Sequence, residues 1–507
     1  MEIGTVIVTE DSPSQNKFSF VVTEDGRRMP VRQGQFVEVE TEEGRVMAFV
    51  TNLVKTNRYF MRAESVREYE RGGRPLTAIF PADRWEYLIA EARALGVQSE
   101  NGLERTTFPP SPGQKVHDAD SESLISFLGL NPEGGLVMGK LKHHDLPVKL
   151  DITRLLRKHV AILGMSGSGK SFGTHVVIEE LLDRSPELGR VGVIVLDVHG
   201  EYVGLAESPE YSGRVSVVKG GEVRIGVPNM NVHQFMEFLP DMSGMQAREL
   251  QQVLEQLRAE MRAGKGPFGL DEVIARVEGN GVVHKHLQQA LLGWLQDLKA
   301  LYIFDSCDSP NWEHIVEPGK AVVVDLSDMT SLRKKQMIVA YAARKLFNAR
   351  KRNRVPPFVL CLEEAHQFCP SSESKGAAIS RSIIETIARE GRKFYASLVL
   401  ISQRPVRLST TVLSQANTNI ILRVTNPYDL EHIKQSSEAI TGEVAEMISS
   451  LPVGEALVVG EAVNYPIFVK IRRRRSRESS HGAKLEDAAR EFERRSQQGG
   501  EDAKAFM

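Results

Sequence analysis

The chain has 507 residues, 41 % of them hydrophobic and 26 % charged, and its formal net charge is −2. This length is sufficient for two or three domains with their own cores, and the average composition excludes a disordered or collagen-like chain. The near balance of acids and bases excludes a globally basic protein, so any contact with nucleic acid must come from local patches.

No apolar run approaches the ~20 residues that a membrane-spanning helix requires. The three cysteines, Cys307, Cys361 and Cys369, have no metal-type spacing, and Cys361 lies in an apolar run. Unpaired thiols of this kind are typical of a reducing compartment, so we expect a cytoplasmic protein that is not anchored in a membrane.

Residues 1–150 are predicted to form a small N-terminal β-barrel, because apolar and polar residues alternate there in short runs separated by turn residues such as Asp25-Gly26. The runs are Thr5–Val8, Phe18–Val22, Gly34–Val39 and Val46–Val50. Residues 96–125 are rich in proline, glycine, serine and charge, so we expect a mobile excursion there. Two further runs, Gly135–Leu141 and Leu146–Leu150, are expected to return to the barrel.

Residues 151–475 are predicted to form an α/β core, a parallel sheet covered by helices on both faces, because near-continuous apolar runs alternate with helical stretches. The predicted strands are Val160–Leu163, Val191–Leu196, Ala321–Val324, Phe358–Leu362, Ala396–Ile401, Ile420–Val424 and Ala456–Val459. Between about residues 230 and 310, leucines recur at helical spacing, for example Leu250, Leu254 and Leu257. This spacing predicts a helical insertion in the core.

The first core strand runs into a glycine-rich loop that opens a helix. The loop is Gly164, Met165, Ser166, Gly167, Ser168, Gly169, Lys170 and Ser171, and Phe172 follows it. Its glycines let successive N–H groups face phosphate oxygens. Lys170 supplies a cation for the outer phosphates, the Ser171 hydroxyl is a ligand for Mg²⁺, and the helix N-terminus adds partial positive charge. The pattern predicts a nucleoside triphosphate site, and Lys158, just before the strand, is a further cation near the phosphates by position.

The second core strand ends in Asp197, which is placed to reach the water shell of a magnesium ion. His199 and Glu201 lie in the glycine-containing turn that follows, and their polar groups are expected at the same end of the sheet. For this turn we favour a structural or allosteric role over a chemical one.

The strand Phe358–Leu362 ends in two acids, Glu363 and Glu364, and His366 follows shortly after. Acids at this edge of the sheet lie opposite the phosphates, so we assign Glu363 to Mg²⁺ through water and Glu364 to the general base that polarises the attacking water. The alternative is a solvated pair of acids where a strand meets a loop. We interpret His366 as an orienting or packing residue, because no second metal ligand lies at usable spacing.

The strand Ala396–Ile401 runs into Ser402 and Gln403. A polar residue at the carboxyl end of a neighbouring strand points into the crevice where ligands bind. Gln403 is therefore a candidate sensor of the γ-phosphate or positioner of water, and the alternative is an amide that caps a turn.

These motifs together resemble the HerA branch of the FtsK–HerA family of ring-forming ATPases. The resemblance spans nearly the whole chain and rests on the loop 164–171, the string Asp197–Tyr202, the box Glu363–His366, and the segments Ala388–Lys393 and Ile401–Pro405. It implies a RecA-like P-loop ATPase core behind a HAS-barrel-like N-terminal domain. It further implies a homohexameric ring around double-stranded DNA, with ATP and Mg²⁺ between neighbours and a NurA-like nuclease or another effector enzyme as partner. The chain differs from FtsK itself, because it shows neither membrane spans nor an obvious C-terminal winged-helix module.

The resemblance also implies an arginine that acts across the subunit boundary. Arg389 matches the position of the family's finger residue, and Arg392 is the alternative. An ordinary surface helix that carries arginine and glutamate is the other interpretation.

Loops after the catalytic strands are expected to face the ring axis, where cations bind DNA phosphates without sequence preference. The candidates are Lys375, Arg381, Arg404 and Arg407. Basic clusters also occur at Arg344–Arg354 and Lys470–Arg475, and for the second of these a solvated face is the favoured interpretation. Residues 476–507 are polar apart from a short amphipathic segment around Leu485, Ala488, Ala489 and Phe492, and we interpret them as a tail that braces a neighbouring subunit.

Two functions of different classes follow. The first is a motor in which ATP hydrolysis drives translocation along double-stranded DNA, with or without unwinding, in DNA end processing or antiviral defence. The second is a ring scaffold whose nucleotide state assembles and switches an effector enzyme. A conjugation-type coupling ATPase is a more distant option, because such proteins normally carry a membrane anchor.

Overall fold

The computed structural model describes residues 1–9, 12–23, 31–57, 86–99, 102–279, 285–371, 378–437 and 440–477, together with a few isolated positions. The chain divides into two compact units, one of Met1–Leu150 with Val463–Lys470 and one of Asp151–Ala462 with the segment from Ile471 onward. Within these described residues, no helix combines the length and the apolarity needed to cross a bilayer.

The first unit contains a closed antiparallel barrel, as the alternating pattern predicts. Its elements are β1 (Glu2–Ile7), β2 (Lys17–Val22), β3 (Phe36–Thr41), β4 (Gly44–Asn57), β5 (Glu86–Ser99), β6 (Gly102–Glu104), β7 (Lys115–Asp118), α1 (Ser121–Leu128), β8 (Leu136–Leu141) and β9 (Pro147–Leu150). The strands follow the order β2-β1-β7-β3-β4-β5, and pairing of β2 with β5 closes the barrel. Alternate side chains such as Phe18, Phe20 and Val37 fill the interior, because successive residues of a strand face opposite sides.

Two expectations for this unit are corrected. Residues 96–125 are not an excursion throughout, since β7 pairs with both β1 and β3, and Asp120 caps α1 by accepting the amides of Glu122 and Ser123. The polar run Lys115–Asp118 is too short to predict a strand by itself, and its hydrogen bonds come from neighbours on both sides. β8 and β9 do not return to the barrel sheet. They pair with each other in a different sheet. Asp25-Gly26 lies outside the described residues.

The second unit begins with α2 and continues to β19. Its elements are α2 (Ile152–Leu156), β10 (Val160–Leu163), α3 (Lys170–Leu182), β11 (Gly192–Asp197), α4 (Gly204–Glu207), β12 (Val215–Lys219), β13 (Ile225–Gly226), α5 (Val232–Phe238), α6 (Gly244–Glu260), α7 (Leu270–Gly279), α8 (Lys285–Lys299), β14 (Phe304–Asp305), β15 (Ala321–Asp325), α9 (Leu332–Lys351), β16 (Phe358–Leu362), α10 (Arg381–Phe394), β17 (Ala396–Ser402), α11 (Thr410–Gln415), β18 (Thr418–Ile421), α12 (Pro427–Ser436), α13 (Gly442–Ser449) and β19 (Glu455–Gly460). The chain then forms β20 (Ile467–Ile471), most of which belongs to the first unit and lies beside β8.

The sheet of the second unit has the order β12-β15-β11-β16-β17-β10-β18-β19. Its strands are parallel from β12 to β18. All of them except the edge strand β12 are buried throughout, as continuous apolar runs predict. β19 is antiparallel to β18, so the sheet is not parallel throughout. β10, which precedes the glycine-rich loop, lies between β17 and β18.

The helical insertion consists of α5 to α8. The short strands β13 and β14 pair at its base, where Ile225 lies opposite Phe304. In α6 the predicted leucine stripe is buried, and Ser243 with Gln246 forms a capping box at the start of the helix. The insertion therefore has its own hydrophobic core, formed by apolar residues that recur at helical spacing.

A C-terminal clasp fixes residues 472–476 to helix α3. The Glu179 side chain is fully buried, and one of its oxygens accepts the amides of Arg475 and Ser476 at 2.9 and 2.8 Å and the Ser476 hydroxyl at 2.7 Å. Its second oxygen accepts from Arg472 Nη1 at 2.7 Å, and Arg475 contacts Asp183. The cluster Lys470–Arg475 is thus not merely a solvated face. The amphipathic segment of the tail, apart from isolated positions, lies outside the described residues.

We expect Glu179→Gln to lower the free energy of unfolding by about 3 kcal/mol, because the neutral amide leaves Arg472 and two buried amides poorly matched. Burial raises the pKa of Glu179, but the hydrogen bonds from Ser476 and Arg472 outweigh it and lower the pKa below 4.5, its ordinary value. The stabilisation is therefore complete above that pH and is lost on acidification, so the difference from wild type narrows below pH 4.5. Urea unfolding of both proteins at several pH values measures this difference in the free energy of unfolding. Glu210→Gln, at an exposed position of the same unit, is the control, and an equal loss in both variants would contradict the clasp.

Candidate functional site

The glycine-rich loop closes around its own backbone between β10 and α3. Gly167 and Gly169 have φ values of 73° and 98°, which side-chain-bearing residues rarely adopt. A Cβ atom at Gly164 would lie 2.6 Å from Ser168 Oγ, so this position also requires glycine. Ser168 Oγ and Lys170 Nζ both donate to the Met165 carbonyl, at 2.7 and 2.9 Å. The loop has the shape of a phosphate cradle with a lysine at its rim.

Three carboxylates lie near enough to Lys170 to act on its charge. Burial lowers the pKa of the Lys170 ammonium, and the carboxylates of Glu364, Glu201 and Glu363 oppose this effect. The acids come from two separate loops, one after β11 and one after β16. The carboxyl ends of neighbouring parallel strands thus bring together residues that lie almost 200 positions apart in the sequence.

Asp197 organises the loop after β11. Its Oδ1 accepts the amides of Gly200 and Glu201 at 2.8 and 3.1 Å, and its Oδ2 accepts the amide of Tyr202 at 2.8 Å. The side chain is fully buried, so its oxygens serve this turn. The predicted contact of Asp197 with a magnesium water shell is therefore corrected, and the structural role favoured for the turn agrees with the geometry.

Glu363 holds the same loop from the neighbouring strand. Its Oε2 accepts the amides of Val198 at 2.6 Å and His199 at 3.0 Å. Burial and the adjacent Asp197 carboxylate raise the pKa of Glu363 well above its ordinary range, and burial also raises the pKa of Asp197.

Glu201 leaves this turn toward the glycine-rich loop, and its Oε2 accepts a hydrogen bond from the Ser171 hydroxyl. The next residue, Tyr202, stacks on His175 of α3 with ring centroids 4.8 Å apart. Both contacts attach the loop after β11 to the helix that carries Ser171. The exposed His199 makes no comparable contact through its side chain among the described residues.

Glu364 is nine-tenths buried and has a left-handed backbone conformation, with φ 47° and ψ 46°. Its Oε2 receives no well-formed hydrogen bond from any described residue. His366 Nδ1 lies 3.1 Å from this oxygen and 3.2 Å from Ser402 Oγ. A buried carboxylate oxygen that is held in place but not saturated is what a general base requires.

Ser402 was not predicted, although it adjoins Gln403 in the sequence. It ends β17 and is fully buried, whereas Gln403 is half-buried just beyond it. The position of Ser402 at a strand end was visible in the sequence, but its contact with His366 depends on β16 and β17 being neighbours in the sheet. The role of Gln403 remains a prediction.

Lys158, Arg389 and Arg392 lie at the other end of the strands. They line a cavity of about 730 Å³ together with Arg157 and Lys393, which we call the amino-edge cavity. Lys158 precedes β10 and is paired with Glu461. Because β10 separates Lys158 from the glycine-rich loop by about 13 Å of extended chain, the predicted proximity to the phosphates of its own subunit is corrected.

A buried histidine fixes the helix that carries Arg389. The Leu398 amide donates to His159 Nδ1 at 3.0 Å, so the proton is on Nε2, which donates to the Ala388 carbonyl at 2.9 Å. Burial lowers the pKa of His159 to about 4, so the ring is neutral near pH 7. The side chain of Arg389 remains 55 % exposed, 4.0 Å from Glu385.

The candidates for DNA contact differ in their surroundings. Arg404 and Arg407 are exposed, as expected for residues that bind a polyanion. Arg381 is paired with Glu385 at 2.8 Å, which makes it less suitable. Lys375 lies outside the described residues.

Comparison with known proteins bears on this geometry. Residues 136–346 match the family model described as "Helicase HerA, central domain". The chain is 28 % identical over 469 residues to the DNA double-strand break repair helicase HerA of Saccharolobus solfataricus, covering 87 % of this chain and 88 % of the relative. It is 27 % identical over 444 residues to the protein of the same name from Pyrococcus furiosus, covering 76 % and 78 %. The predicted resemblance to HerA-type ATPases is confirmed.

Among solved structures, VirB4 of Thermoanaerobacter pseudethanolicus superimposes with a TM-score of 0.52 at 17 % identity, covering 68 % of this chain and 98 % of that one. At this identity the match speaks for the fold alone, and it agrees with the predicted P-loop ATPase core.

We expect Lys170→Ala to weaken binding of ATP with Mg²⁺ at least ~100-fold, because the loop loses its cation. Glu364→Gln is expected to keep the affinity within about threefold and to lower turnover ~100-fold or more, because the amide cannot accept the proton of water. Calorimetry with a nonhydrolysable ATP analogue measures the affinity, and the rate of phosphate release measures the turnover. The exposed Glu210→Gln is the control, and wild-type turnover by Glu364→Gln would show that Glu364 is not the general base.

Proposed function

We propose that this chain is an ATP-driven ring motor that translocates along double-stranded DNA. The observation that carries the proposal is that one sheet presents a phosphate loop with a candidate base at one edge and the candidate finger arginine at the opposite edge. The similarity to DNA double-strand break repair helicases supports DNA as the substrate. A cytoplasmic location accords with this substrate.

The residues around Ser171 fit a magnesium ion bound with the nucleotide. They offer hydroxyl and carboxylate oxygens, which Mg²⁺ prefers, and Glu364 has an unsatisfied oxygen beside them. Within the described part of the chain, no group of three or more His, Cys, Asp or Glu side chains is arranged to hold a metal without help. This agrees with an ion that is ligated mainly by phosphates and water. When bound, the ion would neutralise charge on the β- and γ-phosphates.

The chain's own residues supply the remaining chemistry. Lys170 and the amides of the loop bind the phosphates, and the lysine balances charge that develops on the γ-phosphate oxygens. Glu364 accepts a proton from the attacking water, while His366 restricts the orientation of its carboxylate. We propose that Gln403, just after the end of β17, contacts the same water or the γ-phosphate.

Arg389 is unable to assist the phosphate loop of its own subunit. The seven-residue strand β17 separates the two edges of the sheet by roughly 23 Å. A second copy that places its amino-edge cavity against the phosphate loop would bring Arg389 to the γ-phosphate, and repetition of this head-to-tail contact closes a ring. We infer a homohexamer with Arg389 acting in trans and Arg392 as the alternative.

The partner follows from the resemblance to HerA-type ATPases. We propose a NurA-like nuclease or another effector enzyme that acts in DNA end processing or antiviral defence. The N-terminal barrel is the candidate docking domain, because it carries none of the predicted catalytic residues.

DNA stimulation of ATP hydrolysis tests the motor function. We expect linear duplex DNA to raise the turnover of the isolated protein ~10-fold, and we expect ATP-dependent displacement of a third strand annealed to that duplex. Lys170→Ala is the negative control in both assays. Unchanged turnover with DNA, together with nucleotide-dependent binding of an effector, would instead favour the ring scaffold.

Subunit mixing tests the finger arginine. Arg389→Ala alone is expected to lower turnover ~10³-fold, as does loss of an arginine finger in other phosphoryl-transfer enzymes. When Arg389→Ala and Lys170→Ala subunits co-assemble at equal ratio, about a quarter of the interfaces combine an intact loop with an intact arginine. We therefore expect the mixture to recover ATP hydrolysis that neither variant shows, while mixtures with Arg392→Ala test the alternative. No recovery despite confirmed co-assembly would exclude a role in trans.

A further inference from the structure

Two of the three glutamates near Lys170, Glu201 and Glu363, have different hydrogen-bond partners. Glu201 contacts the Ser171 hydroxyl, whereas Oε2 of Glu363 is occupied by the amides of Val198 and His199. From this difference we propose that Glu201, and not Glu363, is the carboxylate that orients the water shell of the magnesium ion. The inference rests on the proposed nucleotide site and revises the magnesium assignment of Glu363.

The direction of the Ser171 hydrogen bond matters. Ser171 follows the loop lysine, the position whose hydroxyl oxygen ligates the ion in sites of this type. Because Ser171 donates its proton to Glu201, the lone pairs of its oxygen remain available to a cation. A carboxylate in direct contact with a metal-ligating hydroxyl lies in the second coordination shell, where it also accepts hydrogen bonds from metal-bound water.

Glu201 is held in this place by the residues around it. Its own amide, together with those of Gly200 and Tyr202, is fixed by Asp197. The Tyr202 ring stacks on His175, one turn after Ser171 in α3. The backbone on both sides of Glu201 is therefore fixed. Tyr202, the residue after Glu201, is also attached to the helix that carries Ser171.

Glu363 has a different task in this arrangement. Glu363 follows β16, the strand next to β11. By accepting the amides of Val198 and His199, it fixes the first residues of the turn after β11. It is thus a positioning residue for the loop that carries Glu201. Asp197 and Glu363 act as supports, and Glu201 is the acid that they present to the ion.

The magnesium dependence of nucleotide affinity separates these roles. We would measure binding of a nonhydrolysable ATP analogue by calorimetry, with Mg²⁺ and with EDTA. In the wild type, Mg²⁺ is expected to raise the affinity. Glu201→Gln is expected to lose at least tenfold of this gain while its affinity in EDTA changes less than threefold. Glu363→Gln is expected to keep most of the gain, and the exposed Glu207→Gln serves as matched control.

Each outcome decides the inference. Retention of the magnesium gain by Glu201→Gln overturns it, whatever Glu363→Gln does, and so does an equal or greater loss in Glu363→Gln. If Glu363→Gln does not fold, as thermal unfolding would reveal, the Glu201 variant alone decides. A second measurement that requires no turnover is the electron paramagnetic resonance spectrum of Mn²⁺ bound together with the analogue. We expect Glu201→Gln to change this spectrum. Wild-type affinity that is independent of Mg²⁺ would instead overturn the proposed nucleotide site itself.

Discussion

Two buried carboxylates, Asp197 and Glu363, bind the backbone amides of residues 198–202, and the arrangement of the nucleotide site depends on this contact. Amides at a strand end lack ladder partners and are costly to bury without acceptors. Two acids on neighbouring strands satisfy them together, and the turn becomes rigid enough to aim Glu201 at Ser171. Burial raises the pKa of both acids, and the adjacent Asp197 raises that of Glu363 further.

The polarity of the parallel sheet imposes the second constraint. The groups that we propose for phosphate contact lie beyond the carboxyl ends of β10, β11, β16 and β17, whereas the cations of the amino-edge cavity lie at the opposite ends. A single subunit has no means of bringing these two edges together. His159 keeps Arg389 at the amino edge, because its two hydrogen bonds fix α10, the helix that carries Arg389, to the first residues of β17. A head-to-tail assembly is the simplest arrangement that uses both edges.

The C-terminal clasp adds a contact that links the end of the described chain to the helix behind the phosphate loop. Glu179 lies on α3 two turns after Ser171, and four hydrogen bonds attach residues 472–476 to it. Arg474 lies over the ring of Phe172, the residue that follows the loop. The basic residues of this segment therefore stabilise the core, which a charge run in the sequence does not reveal.

The sequence by itself determined the barrel, the buried strands of the core, the helical insertion and the phosphate loop, because each depends on local periodicity or on glycine at positions of positive φ. It also predicted that Glu364 and the loop Asp197–Tyr202 lie near the glycine-rich loop, since strand ends meet at one edge. Only the tertiary structure decided which acid faces Ser171, how Ser402 contacts His366, and that Lys158 lies away from the phosphate loop of its own subunit. These facts depend on strand order and side-chain direction, and residues 30 and 36 positions apart, such as Ser171 with Glu201 and His366 with Ser402, carry no local signal of their contact.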